Sequence, residues 1–235
     1  MRPGVNMAEA AKILSGTAPA DLKYDPAIIW ENDCFNAKPI AGQFNEPDDF
    51  LWRLWRIEQN NHVILQVKDT VACLIYNPDR QAVALVGQKR PAVSLKNGGD
   101  GFLLEVPAGH VENQDIDNPR AAMAREANEE LGAKFDLDGR DFGLIGDQPL
   151  FLSPGHLTER MWLGYAEAGD EKFDQAKCIF GLTDEGEETE RVWTPIYELD
   201  CLDVIDMKTF ALIQWFLYNH QPAEGAAENA DHQTV

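Results

Sequence analysis

The sequence predicts an α/β (α+β) fold, a sandwich of mixed sheet with flanking helices. Three observations predict it. Short runs rich in β-branched and aromatic residues recur from His62 onward, which is the composition of strands. One strongly helical segment, residues 120–131, interrupts them. A second, residues 204–218, follows the last of them. Strands around a mid-chain helix, with another helix at the end, must bury a sheet against helices.

The elements follow in order. Residues 1–48 carry prolines at 3, 19, 26, 39 and 47 and are expected to be irregular, an arm rather than core. Residues 50–57, Phe-Leu-Trp-Arg-Leu-Trp-Arg-Ile, have a period that fits either helix or strand. Residues 62–67 and 71–76 are expected strands. Asn77-Pro78-Asp79-Arg80 is a turn, because proline presets φ and Asn and Asp favour bends. Residues 82–86 return as the second arm of a hairpin. Residues 97–101, Asn-Gly-Gly-Asp-Gly, are a flexible loop, and 102–106 a short strand running into Pro107-Ala108-Gly109. Asn118 stands where a helix cap is wanted and Pro119 at the first helical position, where its missing N–H is harmless. Residues 120–131 are rich in Ala, Glu and Arg, and Gly132 stands where a helix is left. Further strands are expected at 141–146, 161–166 and 191–197. The last helix offers Ile205, Phe210, Ile213, Phe216 and Leu217 as its apolar face. Residues 221–235 have little to bury and should fray. The expected organisation is an arm over 1–60, a domain over 61–220 and a flexible tail over 221–235.

Composition narrows the function. A chain of 235 residues with 44% hydrophobic and 26% charged residues is neither disordered nor membrane-spanning. A formal charge of −20 repels nucleic acid and anionic membrane surfaces, so neither is an expected partner. An anionic substrate would need local arginines or bound cations to reverse that field. Cys34, Cys73, Cys178 and Cys201 form no C-x-x-C pair, and His62, His110, His156, His220 and His232 show no zinc spacing. They read as thiols in a reducing compartment. With no signal-type apolar region and no run of 18 apolar residues, the chain is expected to be cytoplasmic.

The chemistry sits on the mid-chain helix. Glu126, Glu129 and Glu130 fall at i, i+3 and i+4 and share a face. Three crowded carboxylates repel one another unless something positive intervenes. Arg125 can pair with Glu129, but one arginine cannot neutralise three acids. The face is either a solvated acidic surface or a site for hard divalent cations, which take oxygen ligands. Met123, Ala127 and Leu131 form the opposite, core-facing stripe.

Around that helix, Gly109…Asp117…Arg125-Glu126-Ala127-Asn128-Glu129-Glu130-Leu131-Gly132-Ala133 resembles the box of the Nudix hydrolases, Gly-x5-Glu-x7-Arg-Glu-U-x-Glu-Glu-x-Gly-U with U aliphatic. Residues 125–133 match at every specified position. Asp117 replaces a glutamate, and the span from Gly109 to Asp117 is two residues longer than the pattern. The resemblance covers about residues 61–220. Residues 83–93 look like the hairpin strand preceding the box in nucleoside-diphosphate-sugar hydrolases, and Leu104-Glu105-Val106-Pro107-Ala108-Gly109 like the strand entering it. Ser153-Pro154-Gly155-His156-Leu157-Thr158-Glu159-Arg160 is similar to a segment of ADP-ribose pyrophosphatases. In that subgroup a proline follows the box by about fifteen residues. Here Pro154 lies farther along, after an expanded 134–147 segment shared with UDP-glucose pyrophosphatases.

The resemblance implies a Nudix-type α/β/α sandwich and Mg²⁺-dependent hydrolysis, with Mn²⁺ as a substitute. The link cut is the pyrophosphate of a nucleoside diphosphate sugar, ADP-ribose or similar. UDP-glucose or a GDP-sugar is the alternative, and a non-catalytic sensor of nucleotide sugars is a rival from another class. It implies metal contacts from the Ala108 carbonyl and from Glu126, Glu129 and Glu130. The segment 184–190 is by itself a charged loop. Within the resemblance it supplies a catalytic base and a metal-contacting carboxylate, with Glu185 ahead of Glu187 as the base, Glu187 as the metal-side partner, and Glu129 behind them. Substrate contacts fall to Arg53, Arg56, Arg90 and Glu105, with Arg90 matching an arginine beside the substrate. For Arg53, Arg56, Lys89 and Arg90 alone, a surface ion pair is the plain alternative. Trp52 and Trp55 either stack on a base or pack at an interface, and His156 is incidental. A homodimer is the implied assembly.

Overall fold

In a computed structural model, residues 30–31, 36–46, 49–57, 62–182 and 188–220 are described, with side chains at 52–57, 62–182 and 188–220. The chain divides into two compact units. One holds 1–71, 110–117 and 146–162, and the other 72–109, 118–145 and 163–235.

The first unit is built on a four-stranded antiparallel sheet of β1 (Trp30–Glu31), β2 (Asn36–Glu46), β3 (Asp49–Ile57) and β4 (Val63–Val67), in that order. The expectation of an irregular segment through residue 48 is therefore corrected over 36–46, which is a strand. Its signal was hidden by Pro39 and Gly42 and by three register shifts against β3, each of which interrupts the two-residue alternation. The ambiguous 50–57 segment is a strand. Trp55 and Ile57 are buried in it and pack with Ile64, and Trp55 donates to Gln66 across the β3–β4 ladder at 2.7 Å. Trp55 thus has an intrachain role that the sequence did not assign. The 153–160 segment lies against β4. Leu65 N–H donates to His156 O, Thr158 N–H to Leu65 O, and Arg160 forks onto Asp69 at 3.2 and 2.6 Å. His156 Nδ1 lies 3.1 Å from His62 Nε2.

The second unit carries the sandwich. Its strands run in the order β11 (Arg160–Glu167), β5 (Thr70–Asn77), β6 (Ala82–Lys89), β13 (Thr189–Pro195), β12 (Ile179–Phe180). One edge of β6 is shared by β5 at Ala82–Ala84 and by β7 (Phe102–Glu105) at Val86–Lys89; β13 takes the other. Strand β8 (Ala108–His110) pairs with β5 and β9 (Gly143–Leu144) with β11, extending the sheet. Strand β9 is shorter than the 141–146 expected. Strand β10 (Leu150–Phe151) pairs with the start of β11.

Helices cover both faces. Cys73 of β5 lies under α2 (Pro119–Leu131), its Sγ 4.0 Å from Met123 O. Tyr76, three residues on and so on the opposite face, packs its ring 5.2 Å from Phe216 of α3 (Met207–Asn219). This is the α/β/α arrangement the sequence predicts. Two details differ. A helix α1 (Pro91–Asn97) follows β6 where the hairpin strand was expected to continue to residue 93. None of its residues is buried, so no amphipathic stripe marked it. Helix α3 begins at Met207, not 204, because Asp206 caps it, accepting from Thr209 N–H at 3.0 Å. Its buried face is Thr209, Leu212, Ile213 and Phe216, while Ile205 and Phe210 are exposed.

Candidate active site

Helix α2 starts and stops where its sequence says. Asn118 is the cap residue, although its side chain donates to Asp138 O instead of closing the first turn. Pro119 takes the first position. Gly132 ends the helix at φ +60°, the left-handed conformation that favours glycine, and the Phe180 ring occupies the space a Cβ would need. Met123, Ala127 and Leu131 are fully buried.

The carboxylates are not a solvated face. Glu126 and Glu130 are 8% and 5% exposed, and only Glu129 is half-buried. The start of β8, at Ala108 and Gly109, lies against them. Ala108 N–H donates to Glu130 Oε2 at 3.0 Å, and a side chain at Gly109 would collide with the Glu126 carboxylate. Arg125 Nη1 lies 2.7 Å from Glu126 Oε1 and 3.5 Å from Glu129 Oε2, so its closer partner is its neighbour in sequence, not the residue one turn on.

Glu105, 2% exposed at the end of β7, accepts from Arg90 Nε at 2.6 Å and pairs through its other oxygen with Lys208 Nζ. Arg90 and Glu105 are therefore partners of one another. Lys208, from the first turn of α3, also meets Asp206 at 3.0 Å. No local pattern singles it out, because the contact joins residues 103 apart. Four acids, Glu105, Glu126, Glu129 and Glu130, thus share the region with three cations, Arg90, Arg125 and Lys208. The cations are in contact with Glu105, Glu126 and Glu129. Glu130 has its hydrogen bond from Ala108. Burial, then the charge of Glu126, push its carboxyl up to about 8 against that bond; Glu105 adds to the rise and Arg90 opposes it. Burial, then Glu130 and Glu126, also push the Cys73 thiol well up. Cys73 is a buried, protonated thiol and no nucleophile.

A hard divalent cation suits this donor set. Among the described residues no group of three His, Cys, Asp or Glu side chains is arranged to hold a metal. Mg²⁺ does not require one, since it keeps several waters and binds through one or two carboxylates plus substrate phosphates. Glu126 and Glu130 supply two buried carboxylates, and the charge of Glu126 that helps push the Glu130 carboxyl up is one a cation would offset.

The other sequence-derived candidates are spread out. Arg53 and Arg56 are half-buried on β3 of the first unit. Lys89 forms an exposed ion pair with Asp100 at 3.3 Å, the plain reading of that residue. Glu185 and Glu187 lie outside the described residues, as do residues 1–29 and the 221–235 tail. A cavity of about 470 Å³ opens beside the end of α2, lined by Glu129, Lys134, Lys177, Phe180 and Glu188 among others. No helix among the described residues is long and apolar enough to cross a membrane.

Comparison with known proteins adds an independent line. The NUDIX domain model matches residues 67–216. The chain is 37% identical over 97 residues to a GDP-mannose pyrophosphatase of Klebsiella pneumoniae, covering 41% of this chain and 44% of that protein. It is 34% identical over 99 residues to one from Cronobacter sakazakii, covering 42% and 47%. With one from Salmonella typhimurium it shares 30% over 151 residues, covering 63% and 72%. The chain spans about half the length of the first two relatives.

Proposed function

Because the chain belongs to the NUDIX domain family, we propose that it hydrolyses the pyrophosphate link of a nucleoside diphosphate sugar, with a GDP-sugar such as GDP-mannose ahead of ADP-ribose. The sequence motifs put ADP-ribose first and UDP- or GDP-sugars second. The relatives named above favour the second. The expanded 134–147 segment points the same way. The observation that carries the catalytic reading is the buried pair Glu126 and Glu130, held against Ala108 and Gly109 at the start of β8.

Glu126 and Glu130 would hold Mg²⁺ or Mn²⁺, with Glu129 and the Ala108 carbonyl as further contacts. When bound, the cation supplies a polarised phosphoryl oxygen and an activated water. The chain's own part is to place charge. Glu130, relieved of its proton, meets the cation. Arg125 keeps the Glu126 and Glu129 carboxylates oriented. Arg90 and Lys208 pair with Glu105 and set a positive border for the substrate's phosphates. Glu185 or Glu187 takes the water's proton, with Glu129 in reserve. Arg53 and Arg56 contact the nucleotide, and the chain works as a homodimer in which residues 1–60 make the contact.

The test is a panel of GDP-mannose, UDP-glucose and ADP-ribose, each with Mg²⁺ and with EDTA, products separated by chromatography. Release of a nucleoside monophosphate and a sugar phosphate, fastest from GDP-mannose and abolished by EDTA, is the expected result. Tight binding of a nucleotide sugar without turnover would overturn catalysis in favour of a sensor.

A further inference from the structure

The histidines are scattered in the sequence, but the fold of the first unit brings two of them together. His62 stands just before β4, and His156 sits in the turn that runs beside that strand. His62 Nε2 and His156 Nδ1 are 3.1 Å apart, although 94 positions separate the residues. No sequence spacing could mark such a pair.

Backbone hydrogen bonds fix both residues. His62 O accepts from Ile57 N–H, at the end of β3, at 2.7 Å. His156 N–H donates to Ser153 O at 3.0 Å, and His156 O accepts from Leu65 N–H at 2.8 Å. Leu157 bridges Leu65 in parallel register. Thr158 ties on twice, its N–H donating to Leu65 O and its hydroxyl accepting from Val67 N–H, each at 3.1 Å. The two imidazoles are thus held side by side with little left to order, which is when a chelate costs least. Both residues are exposed, so an ion reaches them from solvent.

The geometry suits a shared ion. Two metal–nitrogen bonds of about 2.0–2.1 Å, meeting between a right angle and the tetrahedral angle, span about 2.9–3.4 Å, and the 3.1 Å separation falls inside that span. The ring centres are 4.8 Å apart, with the planes at 67°. That separation is less than the nitrogen gap plus two ring radii, so the rings do not face one another along the line between the nitrogens. A hydrogen bond prefers that line, whereas two ligands of one ion tilt off it.

We propose that His62 Nε2 and His156 Nδ1 chelate a transition-metal ion of the class that imidazole prefers, Zn²⁺ foremost, and so staple the 153–158 turn to β4. The ring that donates in the free pair passes its proton through solvent to its other nitrogen, so both rings stay neutral and both lone pairs face the ion. Among the described residues no third His, Cys, Asp or Glu joins them, so water completes the coordination and the ion exchanges. Mg²⁺ takes oxygen ligands and does not compete here. The site shares no residue with α2 and stands whether or not the chain is a hydrolase.

The test titrates the full chain with Zn²⁺ at about pH 7.5, where unperturbed imidazole is mostly neutral, with Mg²⁺ in large excess to fill oxygen sites. Calorimetry reads the affinity, and nitrogen NMR of the histidine rings reads which atoms are ligated. Wild type should take up one Zn²⁺ whose binding shifts His62 Nε2 and His156 Nδ1 and leaves the rings of His110 and His220 unmoved. Losing a partner one step removed from a metal already costs about 10–100-fold in affinity, so His62→Ala and His156→Ala should each cost at least about tenfold. Zn²⁺ should also raise the Tm of wild type, and the increment should vanish in both variants. His62→Gln and His156→Gln keep a polar side chain of similar reach and should lose Zn²⁺ equally, which separates ligation from packing. Uptake that survives both substitutions marks an adventitious ion only and overturns the proposal. So does uptake that depends on one histidine and not the other, or ring signals unchanged at saturating Zn²⁺.

Discussion

Glu130 shows how far a single side chain departs from its sequence pattern. Spacing alone put Glu126, Glu129 and Glu130 on one face of a helix, and that is correct. It left open whether the face is solvated, and a charge run usually is. The structure buries two of the three, and Ala108 and Gly109 at the start of β8 lie against them. That contact joins residues 22 apart and has no local signature beyond the glycine. Two predictions follow from the burial. Glu126→Gln and Glu130→Gln should each lower kcat by roughly a hundredfold or more in Mg²⁺, measured on protein shown to be folded. Near-wild-type turnover in either would remove the metal assignment. The second concerns stability. The folded carboxyl of Glu130 titrates near 8, above its ordinary 4.5, so the unfolded chain gives up its proton first. Stability from this group is full below about 4.5 and declines as pH rises to about 8. In EDTA, Glu130→Gln should therefore melt at a higher temperature than wild type at pH 8 and about equally at pH 5. Calorimetry at the two pH values checks it, and a lower melting temperature at pH 8 would mean that Glu130 is stabilising when ionised.

Elements were legible where their ends carry chemistry. Helix α2 has Pro119 at its start and Gly132 at its end, and the structure begins and ends it there. Helix α1 lacks a buried face, and β2 carries Pro39 and shifted register, so neither had a period to read. Helix α3 is legible from its apolar residues, but its start depends on the Asp206 cap, which also accompanies the burial of Thr209. That hydroxyl donates to Asp206 and accepts from Val106 N–H at 2.9 Å, a contact only the fold creates. Two further predictions belong at this scale. Gly132→Ala places a Cβ at φ +60° and into the Phe180 ring, so it should destabilise the chain by about 1–3 kcal/mol, read as a lower denaturation midpoint. Asp206 is burdened by burial, yet Lys208 and the Thr209 donors outweigh that and lower its pKa. A depressed carboxyl contributes stability above its unfolded value of 3.8 and loses it as pH falls through the lower folded value. Asp206→Asn should thus destabilise at pH 7 and converge with wild type in strong acid. A constant difference across pH would show that the cap acts through shape alone.

For the whole molecule, the charge of −20 and the anionic substrate proposed above stand in apparent conflict. The site answers it locally, with Arg90, Arg125 and Lys208 among the carboxylates and two acids suited to a divalent cation. The long-range field remains negative, since three cations cannot offset the excess of acids over the chain. Approach and capture should therefore respond to salt in opposite senses. Screening weakens interactions beyond about 10 Å at 0.1 M salt, so added NaCl removes the repulsion felt by an approaching nucleotide sugar. It also weakens the attraction that gathers Mg²⁺. At saturating Mg²⁺ only the first effect is left. We expect kcat/KM to rise by roughly two- to threefold between low and physiological ionic strength, with kcat unchanged. At limiting Mg²⁺ the same salt should lower the rate, because the half-saturating Mg²⁺ concentration increases. Steady-state kinetics at both Mg²⁺ levels across a NaCl series separates the terms. A steep fall of kcat/KM with salt at saturating Mg²⁺ would show that a local positive funnel, not the overall charge, governs the encounter. Arg90 and Lys208 would then be its first members to replace.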